Sequence, residues 1–438
     1  MEGMLFRLAI PWLLAVAAIP AAPPTLPDGD LNNLVDFYVA LHKAPELSFY
    51  EEKTAAQLVG EMRNLGFAVT PKVGGHGFVA VLENGAGPTV LIRTDLDALP
   101  VVEQTGLPYA SDVRTKDDKG SDVGVMHACG HDIHMASFLG AARQLAAAKA
   151  DWKGTLVMVG QPAEERGAGA RAMLADGLFE RFPKPDYALA LHASASLPTG
   201  QVGYTPGYAL AAMDSVDITI RGVGGHGAWP HMTKDPVVIA AQTVLNLQTL
   251  VSRSISPFEP AVVTVGSIHG GSKHNVIGEE VKLQLTVRSF NDATRDVLID
   301  GIRRITLHTA LAAGVPADRE PTVTLSEDEY TRSTYNDPAL VDRLLPVWAR
   351  TLGEDNVVKV APVTGGEDFS EFGRTADKIP IFIFWVGTID LERYEAAQQP
   401  GAAALPSLHS PGYRPEPRAS IRTGVTAMTA AAMELFQQ

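Results

Sequence analysis

Hydrophobic positions along this chain follow two rhythms. Near-continuous apolar runs over residues 89–93, 155–160, 187–191 and 381–386 mark strands buried on both faces, as in parallel sheets. Between and around them, apolar residues recur at helical spacing over 51–65, 132–148, 168–176, 338–352 and 420–436. Asp132 is the expected N-cap of its helix. Strands alternating with helices predict an α/β fold, with a mainly parallel central sheet and flanking helices.

The middle of the chain is patterned differently. Residues 215–221, 261–268, 281–290 and 322–326 alternate apolar with polar positions, and 235–253 and 294–313 are amphipathic helices. The order β-α-β-β-α-β predicts an inserted ferredoxin-like domain. One face of its sheet is expected on the helices and the other in water. The expected division is a signal peptide and linker over 1–27, a catalytic domain in two parts (28–212 and 328–438), and the inserted domain over 213–327.

Composition narrows the function. The formal net charge of −14 over 438 residues argues against nucleic acid, whose phosphates need a basic surface. Arg7 precedes the apolar run 8–19, which is too short to span a membrane but suits a signal-peptide core. That implies export, to the periplasm or beyond; if the segment is not a signal peptide, the chain is cytoplasmic. No later run is long enough to span a membrane. Cys129 is the one cysteine, so no internal disulfide can form.

The chemistry concentrates in His127-Ala-Cys129-Gly-His131-Asp132-Ile-His134 and, about thirty residues on, Gln161-Pro-Ala-Glu164-Glu165. Imidazole, thiolate and carboxylate are the ligands of borderline-soft divalent metals. A carboxylate beside a metal-binding carboxylate is what a general base for an activated water requires. Asp95, Asp97, Glu164, Glu165 and His192 all fall at the carboxyl ends of predicted strands, where α/β sheets bind ligands. The residues alone therefore indicate a metal-dependent hydrolase.

The ordered motifs resemble the amidohydrolase branch of the aminoacylase and carboxypeptidase family of two-metal peptidases. They are Asp95-Leu-Asp97-Ala-Leu-Pro100, the histidine and Glu-Glu motifs above, Gly224-Gly-His226-Gly-Ala-Trp-Pro-His231, His274-Asn275-Val-Ile277, Gly366-Glu367-Asp368-Phe369 and Leu408-His409-Ser-Pro411. The resemblance covers nearly everything after Asp30. It implies five metal ligands (Cys129, His131, Glu165, His192 and His409) for two divalent ions, manganese or zinc, with nickel or cobalt also suited. It implies Glu164 as general base and Asp97 as the carboxylate that orients a ligand. Asp95, His127 and His134 are read as supporting groups. The inserted domain becomes a lid through which two copies pair as a homodimer. His226 is its oxyanion donor, supplied in relatives by the partner subunit. Asn275 and Arg288 grip the free carboxylate of a small N-acyl-amino-acid substrate. The alternatives are a metallo-dipeptidase or carboxypeptidase, or a binding module without activity. Gly278 after Asn-Val-Ile, Ile133, Met135 and the stretch following His192 depart from the usual pattern.

Overall fold

In the computed structural model, residues 26–437 are described. The expected signal-peptide segment therefore lies, apart from Leu26 and Pro27, outside the described residues. The central sheet has eight strands in the order Ala68–Pro71, Phe78–Asn84, Gly154–Gln161, Thr89–Asp95, Tyr187–Pro198, Ile381–Ile389, Val202–Tyr204 and Val357–Lys359. The four central strands run parallel to one another. Antiparallel pairings occur only toward the edges.

Side-chain alternation divides each central strand between two cores. Ile92, Met158, Leu189, Phe382 and Phe384 pack into one, together with the helices Asp28–Lys43, His131–Ala147, Pro338–Leu352 and Pro417–Leu435. Leu91, Val157, Ala188, Ile381 and Ile383 face the opposite side, against Met173 and Phe372. Both faces are covered, which explains why these strands read as continuous apolar runs. The helix His131–Ala147 is buried nearly all round, packed against Asp28–Lys43 and Pro417–Leu435. A helix so enclosed needs little polar face.

That helix starts differently from the expectation. Its N-cap is Gly130, at φ 82°, and Asp132 sits buried inside the first turn, its Oδ1 accepting the Ile133 amide at 2.9 Å. The chain leaves Cys129 through a left-handed turn that a side chain would oppose. A Cβ at Gly130 would also lie 2.8 Å from that of Ala193. Asp132 instead pairs with His42 at 2.6 Å.

The middle of the chain forms a second, antiparallel sheet ordered Ala261–Gly270, Glu280–Ser289, Ala212–Arg221 and Thr322–Thr331. Val281, Leu283, Leu285 and Val287 turn inward with Val216, Ile218 and Ile220, onto the helices Pro236–Thr249 and Asp292–Ala312. Lys282 and Gln284, between them, are exposed. Both helices are capped by side chains: Asp235 accepts from the Val237 amide and Asn291 from that of Thr294. The last strand runs to Thr331, beyond the expected 326, because the acidic residues 327–329 hide its alternation. No described helix is long and apolar enough to cross a membrane.

Trp348 joins helix to sheet. It is fully buried, donates its indole N–H to Ala427 O at 2.9 Å, and lies 4.7 Å from the Phe384 ring. Trp348→Ala is expected to cost about 3–5 kcal/mol, read as a lowered denaturant midpoint with the slope unchanged. An unchanged midpoint would contradict this packing.

Candidate metal centre

The parallel strands deliver their chemistry at one end of the sheet. Thr89–Asp95 leads into Asp97, and Gly154–Gln161 leads into Glu164 and Glu165. His192 lies within Tyr187–Pro198, which continues past the expected end at residue 191. His131 opens its helix, and His409 comes from the loop before Pro417–Leu435, at φ 64°.

These side chains converge on Cys129. Its Sγ is 3.6 Å from His192 Nε2 and 3.3 Å from His409 Nε2. His409 Nε2 is 3.5 Å from Glu165 Oε2, and His131 Nε2 is 3.7 Å from both Glu164 Oε2 and Glu165 Oε1. Tetrahedral ligands about 2.0–2.3 Å from a shared ion stand roughly 3.3–3.8 Å apart, so the donors are spaced as a metal would space them. They form two triads that share the thiol: Cys129, His131 and His192, and Cys129, Glu165 and His409.

The unmet hydrogen-bonding capacity fits an ion as well. His131 Nδ1 donates to Asp97 O at 2.8 Å, which leaves Nε2 buried without a partner. Glu165 Oε1 is also buried and unpartnered. His192 Nδ1 donates to Ala193 O at 2.8 Å, so its Nε2 has a lone pair to offer. Burial, then the Glu165 and Glu164 carboxylates, push the Cys129 thiol well above its usual range. A thiolate here requires a cation.

Neighbouring groups have other tasks. His134 uses both ring nitrogens: Nδ1 bonds Asp95 Oδ1 at 2.8 Å and Nε2 accepts the Ala193 amide at 2.7 Å. Burial pushes it down to about 3, so it is neutral. It has no lone pair left for a metal, although it lies close to Asp95 and His131. His127 is buried, unpartnered and pushed down to about 4 by burial, and it belongs to no donor group. Asp97 Oδ2 accepts from Ser48 Oγ at 2.6 Å and from the Glu165 amide at 3.0 Å, so its carboxylate steadies the Glu165 backbone while its main-chain carbonyl holds His131.

Glu164 is buried and lies within ligand distance of Glu367 and Asp368. Burial, with Glu367 and Glu165 alongside, raises its carboxyl well above the usual range. The motif Gly366-Glu367-Asp368-Phe369 had no role in the sequence reading, and Arg93 was not singled out. Both are central. The buried Arg93 guanidinium bonds Gln161 at 2.9 Å, Asp95 at 2.9 Å, Glu367 at 2.9 Å and Asp368 at 3.3 Å. An arginine inside an apolar strand was the signal available for it.

Beside the cluster opens a cavity of about 860 Å³, lined largely by apolar side chains such as Leu197, Leu210, Met213, Val363 and Trp385. Arg288 lines it too, its Nη1 3.4 Å from Thr364 O. His226 and Asn275 do not line it. They are exposed and adjoin each other, where Gly225–His226 pairs with Val276–Ile277 and Asn275 O accepts the Gly227 amide at 2.9 Å. Within one chain the structure thus gathers Cys129, His131, Glu164, Glu165, His192 and His409, with Arg288 at the cavity. It leaves His226 and Asn275 outside.

His42 braces the far side of the His131 helix, between Asp132 at 2.6 Å and Glu103 at 3.2 Å. Burial would push it down, but bonds to Asp132 and Glu103 outweigh this and raise it to about 9. Its folded value thus exceeds the unfolded one of about 6.5. The stabilisation is complete below pH 6.5 and is lost as pH rises toward 9. Stability measured by denaturation is expected to fall across that window, and His42→Gln is expected to remove that part of the fall. An identical pH slope in the variant would contradict the assignment.

Comparisons with known proteins agree in kind. Residues 91–401 match the model described as Peptidase family M20/M25/M40. The amidohydrolase-type protein YhaA of Bacillus subtilis strain 168 is 38% identical over 347 residues, 79% of this chain and 83% of its own length. The N-acetylcysteine deacetylase of the same strain is 35% identical over 366 residues, 83% of this chain and 90% of its own. The crystal structure of Bacillus subtilis YXEP protein, a dinuclear metal binding peptidase, superposes with a TM-score of 0.73 at 28% identity, over 93% of this chain and 99% of that one.

Proposed function

The chain belongs to peptidase family M20/M25/M40 and is a metal-dependent hydrolase of amide bonds, and from that premise we propose that it cleaves N-acyl-amino acids with apolar acyl groups. Cys129, His131, Glu165, His192 and His409 would hold two divalent ions, manganese or zinc, with nickel or cobalt also suited to the mixed donors. When bound, the ions supply Lewis acidity toward the amide carbonyl and acidify a water molecule. Glu164 takes the proton of the attacking water and returns it to the leaving nitrogen. Asp97 keeps His131 in the tautomer that presents Nε2.

Arg288 receives the substrate carboxylate, for which its planar fork is suited, and the apolar cavity receives the acyl group. Residues 213–327 act as a lid between the catalytic segments 28–212 and 328–438, and two copies pair through it. In that pairing His226 and Asn275 serve the partner's site, which accords with their lying outside the cavity of their own chain. Residues 1–27 direct export.

The observation that carries this reading is Glu164: a buried carboxyl beside both glutamate and histidine donors, yet in neither thiol-sharing triad. The test is hydrolysis of hippurate, N-acetyl-methionine and an indole-acetyl conjugate beside dipeptides, by stripped protein reloaded with manganese or zinc. Acyl substrates are expected to be cleaved, and Glu164→Ala to lower kcat by about 10²–10⁴ with metal content retained. Cleavage of dipeptides alone would place the chain with the peptidases. Unchanged kcat in Glu164→Ala would remove the base from the account.

A further inference from the structure

Glu51 belongs to none of the donor groups, yet it is fully buried and reaches the site from the start of the helix Glu52–Asn64. Its Oε1 accepts the Phe49 amide at 2.9 Å and the Ala163 amide at 2.7 Å. Phe49 and Ala163 are both non-glycine residues with positive φ, 70° and 49°. Such backbone persists where its surroundings over-determine it, and it gathers at functional sites. Ala163 is held at its other end as well, since its carbonyl accepts the amides of Ala168 and Gly169, each at 3.2 Å. The residue that follows is Glu164. One position further, the Glu165 amide is anchored on Asp97 Oδ2 at 3.0 Å. The turn is thus pinned by one carboxyl on each side of Glu164.

We propose that Glu51 is a positioning residue: its carboxyl holds the left-handed turn at Ala163 and so aims Glu164 at the reaction centre. The inference rests on the reading of Glu164 as the base. Without the Glu51 acceptor, the Ala163 amide is buried and unpaired, and alanine prefers to return to negative φ. That rotation swings the next side chain away from the donors, and a small misplacement of a reacting group is enough to slow catalysis. Burial and the neighbouring Asp97 raise the Glu51 carboxyl to about 8, so an amide is a close substitute for it.

The test compares kcat, KM and metal content in Glu51→Gln, Glu51→Ala, Ala163→Gly and the double variant, on the best acyl substrate of the reloaded enzyme. Glu51→Gln keeps an oxygen acceptor and is expected within about threefold of the parent kcat. Glu51→Ala is expected to lose roughly 10–100-fold in kcat, with KM and metal content unchanged. Glycine adopts positive φ freely, so Ala163→Gly is expected to cost little alone and to recover roughly fivefold or more of the loss in the double variant. Glu51→Asp, too short to reach both amides, carries the same test if Glu51→Ala does not fold. Three results overturn the proposal: a normal kcat in Glu51→Ala, a loss expressed in KM or metal content, or an equal loss with and without Ala163→Gly. Glu164→Ala runs in parallel. If it stays active, the base assignment falls and this inference with it. If it is inactive while Glu51→Ala is normal, the positioning role alone falls.

Discussion

Acidic groups buried without enough positive charge to match them govern this structure. Asp95, Asp97, Glu164, Glu165, Glu367 and Asp368 meet the Cys129 thiol at one end of the sheet, and Arg93 is the permanent cation among them. Burying charge is tolerated where it is paired and hydrogen-bonded. Arg93 answers Asp95, Glu367 and Asp368. The groups nearest the thiol have no such partner. Burial keeps His134 and His192 below their usual range, so they bring no charge. His131 is the exception. Burial opposes its protonation, yet Asp95, Asp97 and Glu165 together raise it to about 10. The site is built for cations.

The fold makes that concentration of charge affordable. Parallel strands covered on both faces point the same way, so the loops at their carboxyl ends, from distant parts of the sequence, open on one side of the sheet. Each acidic loop is then pinned from a neighbouring element. Asp97 holds the Glu165 amide, Glu51 the Ala163 amide and Asp95 the His134 ring. His134 in turn holds the Ala193 amide, next to His192. Preorganisation of the donors is therefore distributed over hydrogen bonds that never touch a substrate.

Much of this was legible in the sequence, for identifiable reasons. Continuous apolar runs gave the parallel strands, and strict alternation gave the second sheet. The edge strand Ala68–Pro71 is partly exposed and carries weak periodicity, whereas Phe78–Asn84 and Val202–Tyr204 lie inside the sheet, mostly buried, and were passed over in the sequence. Asp132 misled because a residue suited to capping was enlisted by His42, from a helix 90 residues earlier. The donors Cys129, His131, Glu165, His192 and His409 stood out by their chemical type. Arg93, Glu367 and Glu51 did not, because their roles come from partners distant in sequence. His226 and Asn275 show the opposite limit: motif resemblance singled them out, while the geometry of one chain leaves them away from the cavity.

On the proposed reading, the residues around Cys129 would hold two divalent ions, and the thiol would be needed to keep them. Metal content per chain after equilibrium dialysis tests it most directly, comparing the parent protein with Cys129→Ala. Two equivalents in the parent, falling to one or none in the variant, is the result the charge argument predicts. An active parent holding fewer than two, or a variant that retains both, would contradict it.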